Sequence, residues 1–159
     1  MENCYHLEIQ LIGDGHDVMH LFGRDCTMQR KNQKLAEEGP ITVAPPEIIK
    51  KMEDSAVAIA KAVSYCGVGT AEFLYNKETN QLTFLEVNTR LQVEHIVTEL
   101  LTGVNLPAMQ LLVAMGYRLS EIEQLQSSDV VKSDFDRLEE LKGQLVGIEE
   151  EKGKLKEEV

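Results

Sequence analysis

The chain has 159 residues, 43% of them apolar, which is enough for one domain with a core of its own. A formal net charge of −11 excludes a nucleic-acid-binding surface as its main role. No stretch reaches the roughly 18 apolar residues of a membrane span, and no apolar N-terminal segment with a cleavage site is visible, so neither nucleic acid nor membrane is expected as a partner. Cys4, Cys26 and Cys66 are an odd, widely spaced set without a CxxC pair. They read as reduced thiols rather than a disulfide framework or zinc site, and the expected location is cytoplasmic.

Residues 5–13 alternate as a strand, Gly13-Asp14-Gly15 signals a hairpin turn, and Val18–Phe22 returns. The strand near Tyr5 is expected to be an exposed edge, open to association. From Gly23 to Lys34 the composition is a polar and basic loop, either solvated or anion-binding. Pro45-Pro46 opens a helix running from Glu47 to Tyr65, with Ile48, Ile49, Met52, Ala56, Ile59, Ala60 and Val63 at helical spacing and Gly67 and Gly69 ending it. Ala71–Tyr75 and Leu82–Val87 form a hairpin about the polar turn 76–80. His95–Leu101 and Asn105–Met115 are helical, the second with a stripe of Leu106, Met109, Leu112 and Val113. From Val131 to Val159 the composition turns to Glu, Lys and Leu, with Leu138, Leu141, Leu145, Ile148, Lys152, Leu155 and Val159 three or four apart. That is a heptad seam of about three repeats, weakened by Gly143, Gly147 and Gly153, and it offers self-association through residues 131–159.

The chemistry concentrates in Phe84–Glu99. Glu86, Asn88, Arg90, Gln92 and Glu94 fall at every second position. In an extended chain they would share one face, and that many polar groups on an inner face is costly unless they have work to do. Glu86 and Asn88 offer hard oxygen ligands suited to Mg²⁺. Arg90 offers a planar fork for a carboxylate, carbonate or phosphate. Glu94 is a candidate general base. The 71–87 hairpin can also bring Glu72 beside Glu86, and two carboxylates so close favour a cation between them. The competing reading is a solvent-facing strand with alternating charges.

Phe84–Glu99 with Glu72 resembles the metal and bicarbonate segment of biotin carboxylases, in the ATP-grasp superfamily. His6–Gln10, Gly23–Lys34 and Gly67–Leu74 resemble family blocks in the same order, and residues 104–116 resemble eukaryotic acetyl-CoA carboxylases. The likeness covers residues 5–120 or so. It implies an α+β fold, the C-terminal half of an ATP-grasp domain: an antiparallel sheet with helices on one face, plus a C-terminal helix. The expected division is a partial ATP-grasp domain over 1–126 and a charged amphipathic or coiled-coil helix over 127–159, outside the family pattern.

The reaction implied is that of a ligase: ATP-dependent carboxylation of biotin by bicarbonate, within a carboxylase of acetyl-CoA carboxylase type, in fatty acid biosynthesis. By resemblance, His6, Gln29, Asn32 and Glu72 lie at ATP. Glu72, Glu86 and Asn88 hold Mg²⁺ (or Mn²⁺). Lys34, Arg90, Gln92 and the backbone of Val93 hold bicarbonate, with Glu94, Arg90 and Lys34 catalytic. Asn32 departs from the His of many members, although some urea-carboxylating members have Asn there. Arg24, Arg30, Lys31, Lys34 and Arg90 are the basic residues available to a polyanionic nucleotide. Biotin would arrive on a separate biotinylated carrier domain, since nothing here resembles an attachment site. The first half of the ATP-grasp fold, the C-terminal domain and the carboxyltransferase have no counterpart, so the chain alone is expected to be inactive. The alternatives are a non-catalytic remnant that associates through its tail, or a piece of a urea or acyl-CoA carboxylase.

Overall fold

A computed structural model describes residues 4–30 and 33–126. Four strands make one antiparallel sheet in the order β2-β1-β5-β6: β1 (Cys4–Asp14), β2 (Val18–Asp25), β5 (Cys66–Asn76) and β6 (Gln81–Asn88). Two further strands, β3 (Gln29–Arg30) and β4 (Gln33–Lys34), form a small separate ladder. Helices α1 (Pro46–Ala62), α2 (His95–Thr102), α3 (Leu106–Ala114) and α4 (Leu119–Gln126) complete the described chain. No single helix among the described residues is long and apolar enough to cross a membrane.

The two-residue alternation of β1 and β5 divides the sheet into unlike faces. Leu7, Ile9 and Leu11 of β1 and Ala71, Phe73 and Tyr75 of β5 lie in one core with Ile48, Met52, Ala56 and Ala60 of α1. Those four helical residues recur every four positions, and Pro46 fits the first turn because its missing N–H needs no partner there. The opposite face carries His6, Glu8 and Gln10 of β1 and Thr70 and Glu72 of β5. At its far end Ile12 and Val68 meet Leu106, Met109 and Val113 of α3 and Leu119 and Ile122 of α4. The α+β class and antiparallel sheet are as expected, with α1 the layer over the apolar face and α3 adding a contact on the other. Asn105 caps α3 by accepting a hydrogen bond from the Ala108 amide at 2.8 Å, and Gly103, at φ 71°, takes the left-handed turn that ends α2.

Several expectations are corrected. β1 is not an edge: it pairs along its whole length with β5 and on its other side with β2. The return strand continues to Asp25, and the segment after it includes the β3–β4 ladder, so Gly23–Lys34 is not simply a loop. α1 ends at Ala62, leaving Val63 exposed, and Gly67 and Gly69 lie inside β5. Gly69 is needed there, because a Cβ would stand 2.7 Å from the Asn88 carbonyl oxygen and 2.7 Å from the Tyr65 hydroxyl. α4 was not foreseen. The heptad seam of 131–159 lies outside the described residues.

Candidate functional site

Strand register lays a row of charge across the sheet. Arg24 pairs with Glu8, Glu8 with Glu72, and Glu72 with Glu86, one residue from each strand. Beside it Gln10 pairs with Thr70 and Thr70 with Asn88. Residues directly opposite in antiparallel strands project to the same side. A bulge at Leu85 sets this register, since Glu72 faces Glu86 while Phe73 faces Phe84.

The inner end of the row is closed. Arg24 and Glu8 are fully buried, with Arg24 Nε donating to Glu8 Oε1 at 2.7 Å. Arg24 Nη1 donates to Gln10 Oε1 at 2.7 Å and to Thr98 Oγ1 at 2.5 Å, tying α2 to the sheet. Arg24 is therefore a structural cation and not available to a nucleotide, which corrects its place among the anion-facing residues.

The outer end opens on a cleft of about 450 Å³ lined by His6, Gln29, Gln33, Lys34, Glu72, Glu86, Asn88, Arg90, Gln92, Val93 and Glu94. All the expected site residues but one line it; Asn32 lies outside the described residues. Strict alternation brings only part of this set together. β6 stops at Asn88, and the chain turns through Thr89–Glu94 before α2 starts. The turn returns the side chains by individual contacts. Thr70 Oγ1 donates to Gln92 Oε1 at 2.7 Å, and Lys34 Nζ donates to Glu94 Oε1 at 2.5 Å. Glu94 precedes α2 but does not cap it with its carboxylate, which is held by Lys34 instead.

Lys34 is the centre of the cluster. Its ammonium also donates to Glu8 Oε2 at 2.7 Å and lies 3.6 Å from Glu72 Oε1 and 3.8 Å from Glu37 Oε1. Burial opposes its charge, but the hydrogen bonds to Glu8 and Glu94 outweigh it and push its pKa up, so it stays an ammonium ion. Burial likewise works against ionisation of Glu94, yet Lys34 holds that carboxyl below the usual range. Glu72 is held low chiefly by its hydrogen bond with His6. In that contact Nε2 of His6 lies 2.7 Å from Glu72 Oε2, while Gln29 Nε2 donates to Nδ1 at 2.5 Å. Nε2 is thus the ring nitrogen turned toward the carboxylate, and Nδ1 the one turned toward the Gln29 amide.

Asn88 Nδ2 lies between the paired carboxylates, donating to Glu72 Oε1 at 2.9 Å and to Glu86 Oε1 at 3.4 Å. Two carboxylates and an amide oxygen are the hard donors a divalent cation takes. Here the amide presents its Nδ2, with partial positive charge, to both carboxylates. Arg90 is exposed and spends one bond, Nη1 to the Leu91 carbonyl at 3.3 Å, leaving the rest of its fork open. Cys26 is buried, and burial raises its thiol pKa, consistent with no nucleophilic role. Glu8, Glu37 and Gln33 were missed. Glu8 could have been found, because His6, Glu8 and Gln10 alternate along β1 just as 86–94 do; Glu37 carries no local signal.

The chain resembles known proteins throughout this region. Residues 1–122 match the family model described as the carbamoyl-phosphate synthase L chain, ATP binding domain. An acetyl-CoA carboxylase of Cryptosporiopsis sp. (strain 8999) is 50% identical over 141 residues, covering 84% of this chain and 6% of that protein. Acetyl-CoA carboxylase 1 of Arabidopsis thaliana is 52% identical over 122 residues, 76% of this chain and 5% of its own length. This chain therefore spans only a small part of the curated relatives it matches. Among solved structures, the biotin carboxylase domain of Hydrogenobacter thermophilus 2-oxoglutarate carboxylase superposes with a TM-score of 0.69 at 45% identity, over 75% of this chain and 26% of that one. That domain was solved with MgADP and bicarbonate. With a family model covering residues 1–122 and solved biotin carboxylase domains superposing on this fold, the chain belongs to the carbamoyl-phosphate synthase L chain ATP-binding family, as a partial chain of its biotin carboxylase type.

Proposed function

We propose that this chain supplies the metal-facing and bicarbonate-facing half of a biotin carboxylase site, working within a longer carboxylase of acetyl-CoA carboxylase type. The observation that carries this reading is the convergence of Lys34, Glu72, Glu86, Asn88, Arg90, Gln92 and Glu94 on one cleft from four separate segments of chain.

Glu72 and Glu86, with the amide of Asn88, would hold Mg²⁺. When bound, that ion supplies positive charge to the phosphates of ATP. His6 and Gln29 orient Glu72 and line the nucleotide side. Arg90 holds bicarbonate through its open fork, with Gln92 and the backbone at Val93 completing the pocket. Lys34 keeps Glu94 ionised, so the carboxylate is ready to accept the bicarbonate proton at Oε1 or Oε2. Lys34 also places positive charge beside the anion. Deprotonated bicarbonate attacks the γ-phosphorus of ATP and the bond to ADP breaks; carboxyphosphate then splits into CO₂ and phosphate, and the ureido nitrogen of biotin on its carrier domain gives its proton to that phosphate and bonds the CO₂.

The acetyl-CoA carboxylase relatives favour acetyl-CoA as final acceptor and fatty acid synthesis as the setting. Cys4, Cys26 and Cys66 are all free, which fits a reducing, cytoplasmic-type compartment. Residues 131–159, by their heptad pattern, would serve self-association. Calorimetric titration of the purified chain with Mg²⁺-ATP and with bicarbonate tests the site. Binding of both, with bicarbonate lost in Arg90→Ala and nucleotide weakened in Glu86→Gln, supports it; wild-type heats no larger than those of both variants would reject it.

A further inference from the structure

Behind Lys34 lies a carboxylate with no assigned role. The Glu37 side chain is 10% exposed; its Oε1 is 3.8 Å from Lys34 Nζ, its Oε2 3.8 Å from Arg24 Nε, and Oε2 is buried without a hydrogen-bond partner. Its neighbours come from every side: Glu8 of β1, Arg24 of β2, Cys26 just after β2, Lys34 of β4, and Glu94 ahead of α2. The nearby charges do not balance. Glu8 takes close bonds from both Arg24 and Lys34, and Glu94 takes one from Lys34. Glu37 is left with two cations at 3.8 Å, beyond hydrogen-bonding distance, and with the carboxylates of Glu8 and Glu94 beside it.

A metal ion is a poor answer to that imbalance. Ligand atoms of Glu8, Cys26 and Glu37 do lie within 4.8 Å of one another. But Glu8 is already bonded to a guanidinium and an ammonium, which would repel an added cation, and Cys26 is held as a neutral thiol by burial. A proton needs no space and no new ligand.

We propose that Glu37 holds a proton on the acid side of neutrality, and that this proton keeps Lys34 and Glu94 paired; Glu37 is a positioning residue for the bicarbonate side of the cleft. Burial, then the charges of Glu8 and Glu94, raise its pKa to about 7, and Glu94 is close enough to feel its state in turn. When the proton leaves, a new anion beside Glu94 competes for Lys34 and raises the proton affinity of Glu94. The structure thus builds an upper pH limit into the site.

The consequence for bicarbonate rests on the proposed function, but the protonation does not, and it is read without any ligand. The test is the side-chain carboxyl titration of the ¹³C-glutamate-labelled chain by NMR, wild type against Glu37→Gln. The expected Glu37 midpoint is near 7, and the Glu94 resonance shows an inflection at the same pH that is absent in Glu37→Gln. A Glu37 midpoint below about 5, in the ordinary carboxylate range, overturns the proposal. So does a Glu94 inflection that persists in the variant. Should Glu37→Gln fail to fold, the wild-type midpoint decides alone. If the titration is as expected but bicarbonate does not bind, the proton assignment stands and the proposed function fails.

Discussion

Replacing Arg24 with Met removes the cation that ties three elements together at the closed end of the site. Arg24 and Glu8 are fully buried, and the guanidinium bonds Glu8, Gln10 and Thr98 at 2.7, 2.7 and 2.5 Å. Met retains most of the apolar volume, so the loss is mainly electrostatic. Glu8 keeps only Lys34, while Gln10 Oε1 and Thr98 Oγ1 each lose a buried donor. Breaking a buried pair by deleting one partner typically costs about 3–5 kcal/mol. Against a total of about 5–15 kcal/mol, the variant should sit near the edge of stability. With a urea slope of about 1–3 kcal/mol/M, the unfolding midpoint should fall by roughly 2 M. Arg24→Lys, which keeps the charge but loses the planar fork, should lie between. A Met variant within about 1 kcal/mol of wild type would refute the reasoning, by showing that Glu8 does not depend on Arg24.

The pH response should have two limbs in urea unfolding measured from pH 8 to pH 3. Glu72 and Glu94 are held below their ordinary value of 4.5, so their contribution is present above it and lost as pH falls through the depressed folded values. Glu37 acts oppositely: its contribution is full below 4.5 and lost as pH rises through about 7. Gly69→Ala should destabilise by about 1–3 kcal/mol in the same assay and should disturb Asn88 amide shifts, since the added Cβ meets the Asn88 carbonyl oxygen at 2.7 Å. Glu94→Gln should abolish proton transfer while leaving bicarbonate binding within about tenfold, a difference of about 1.4 kcal/mol, readable by calorimetry. A larger loss would make Glu94 a binding group first.

The sequence made the local parts of this architecture legible and left the long-range ones hidden. Hairpin signals predicted β1 beside β2 and β5 beside β6, but nothing local states that β5 pairs with β1. That one contact makes the strand of Tyr5 central rather than an edge. Alternation in 86–94 pointed to the right residues, although the convergence of its second half comes from a turn and from partners such as Lys34, 60 positions away. The same alternation in His6, Glu8 and Gln10 was equally visible and equally informative. Arg24 looked like a nucleotide-facing cation because composition cannot distinguish a buried arginine from an open one. Its partner is fixed by strand register, 16 residues earlier. Glu37 lay beyond reach, since its state depends on charges gathered from β1, β2, β4 and the approach to α2.

The central claim is that Glu72, Glu86 and Asn88 form a divalent-cation site at the mouth of this cleft. Paramagnetic broadening by Mn²⁺-ATP, followed in the amide spectrum of the chain, tests it most directly. The account predicts broadening centred on His6, Glu72, Glu86, Asn88 and Gln92 at the lowest additions, and its loss in Glu72→Gln/Glu86→Gln. Broadening spread over the acidic surface, and unchanged in the double variant, would contradict it.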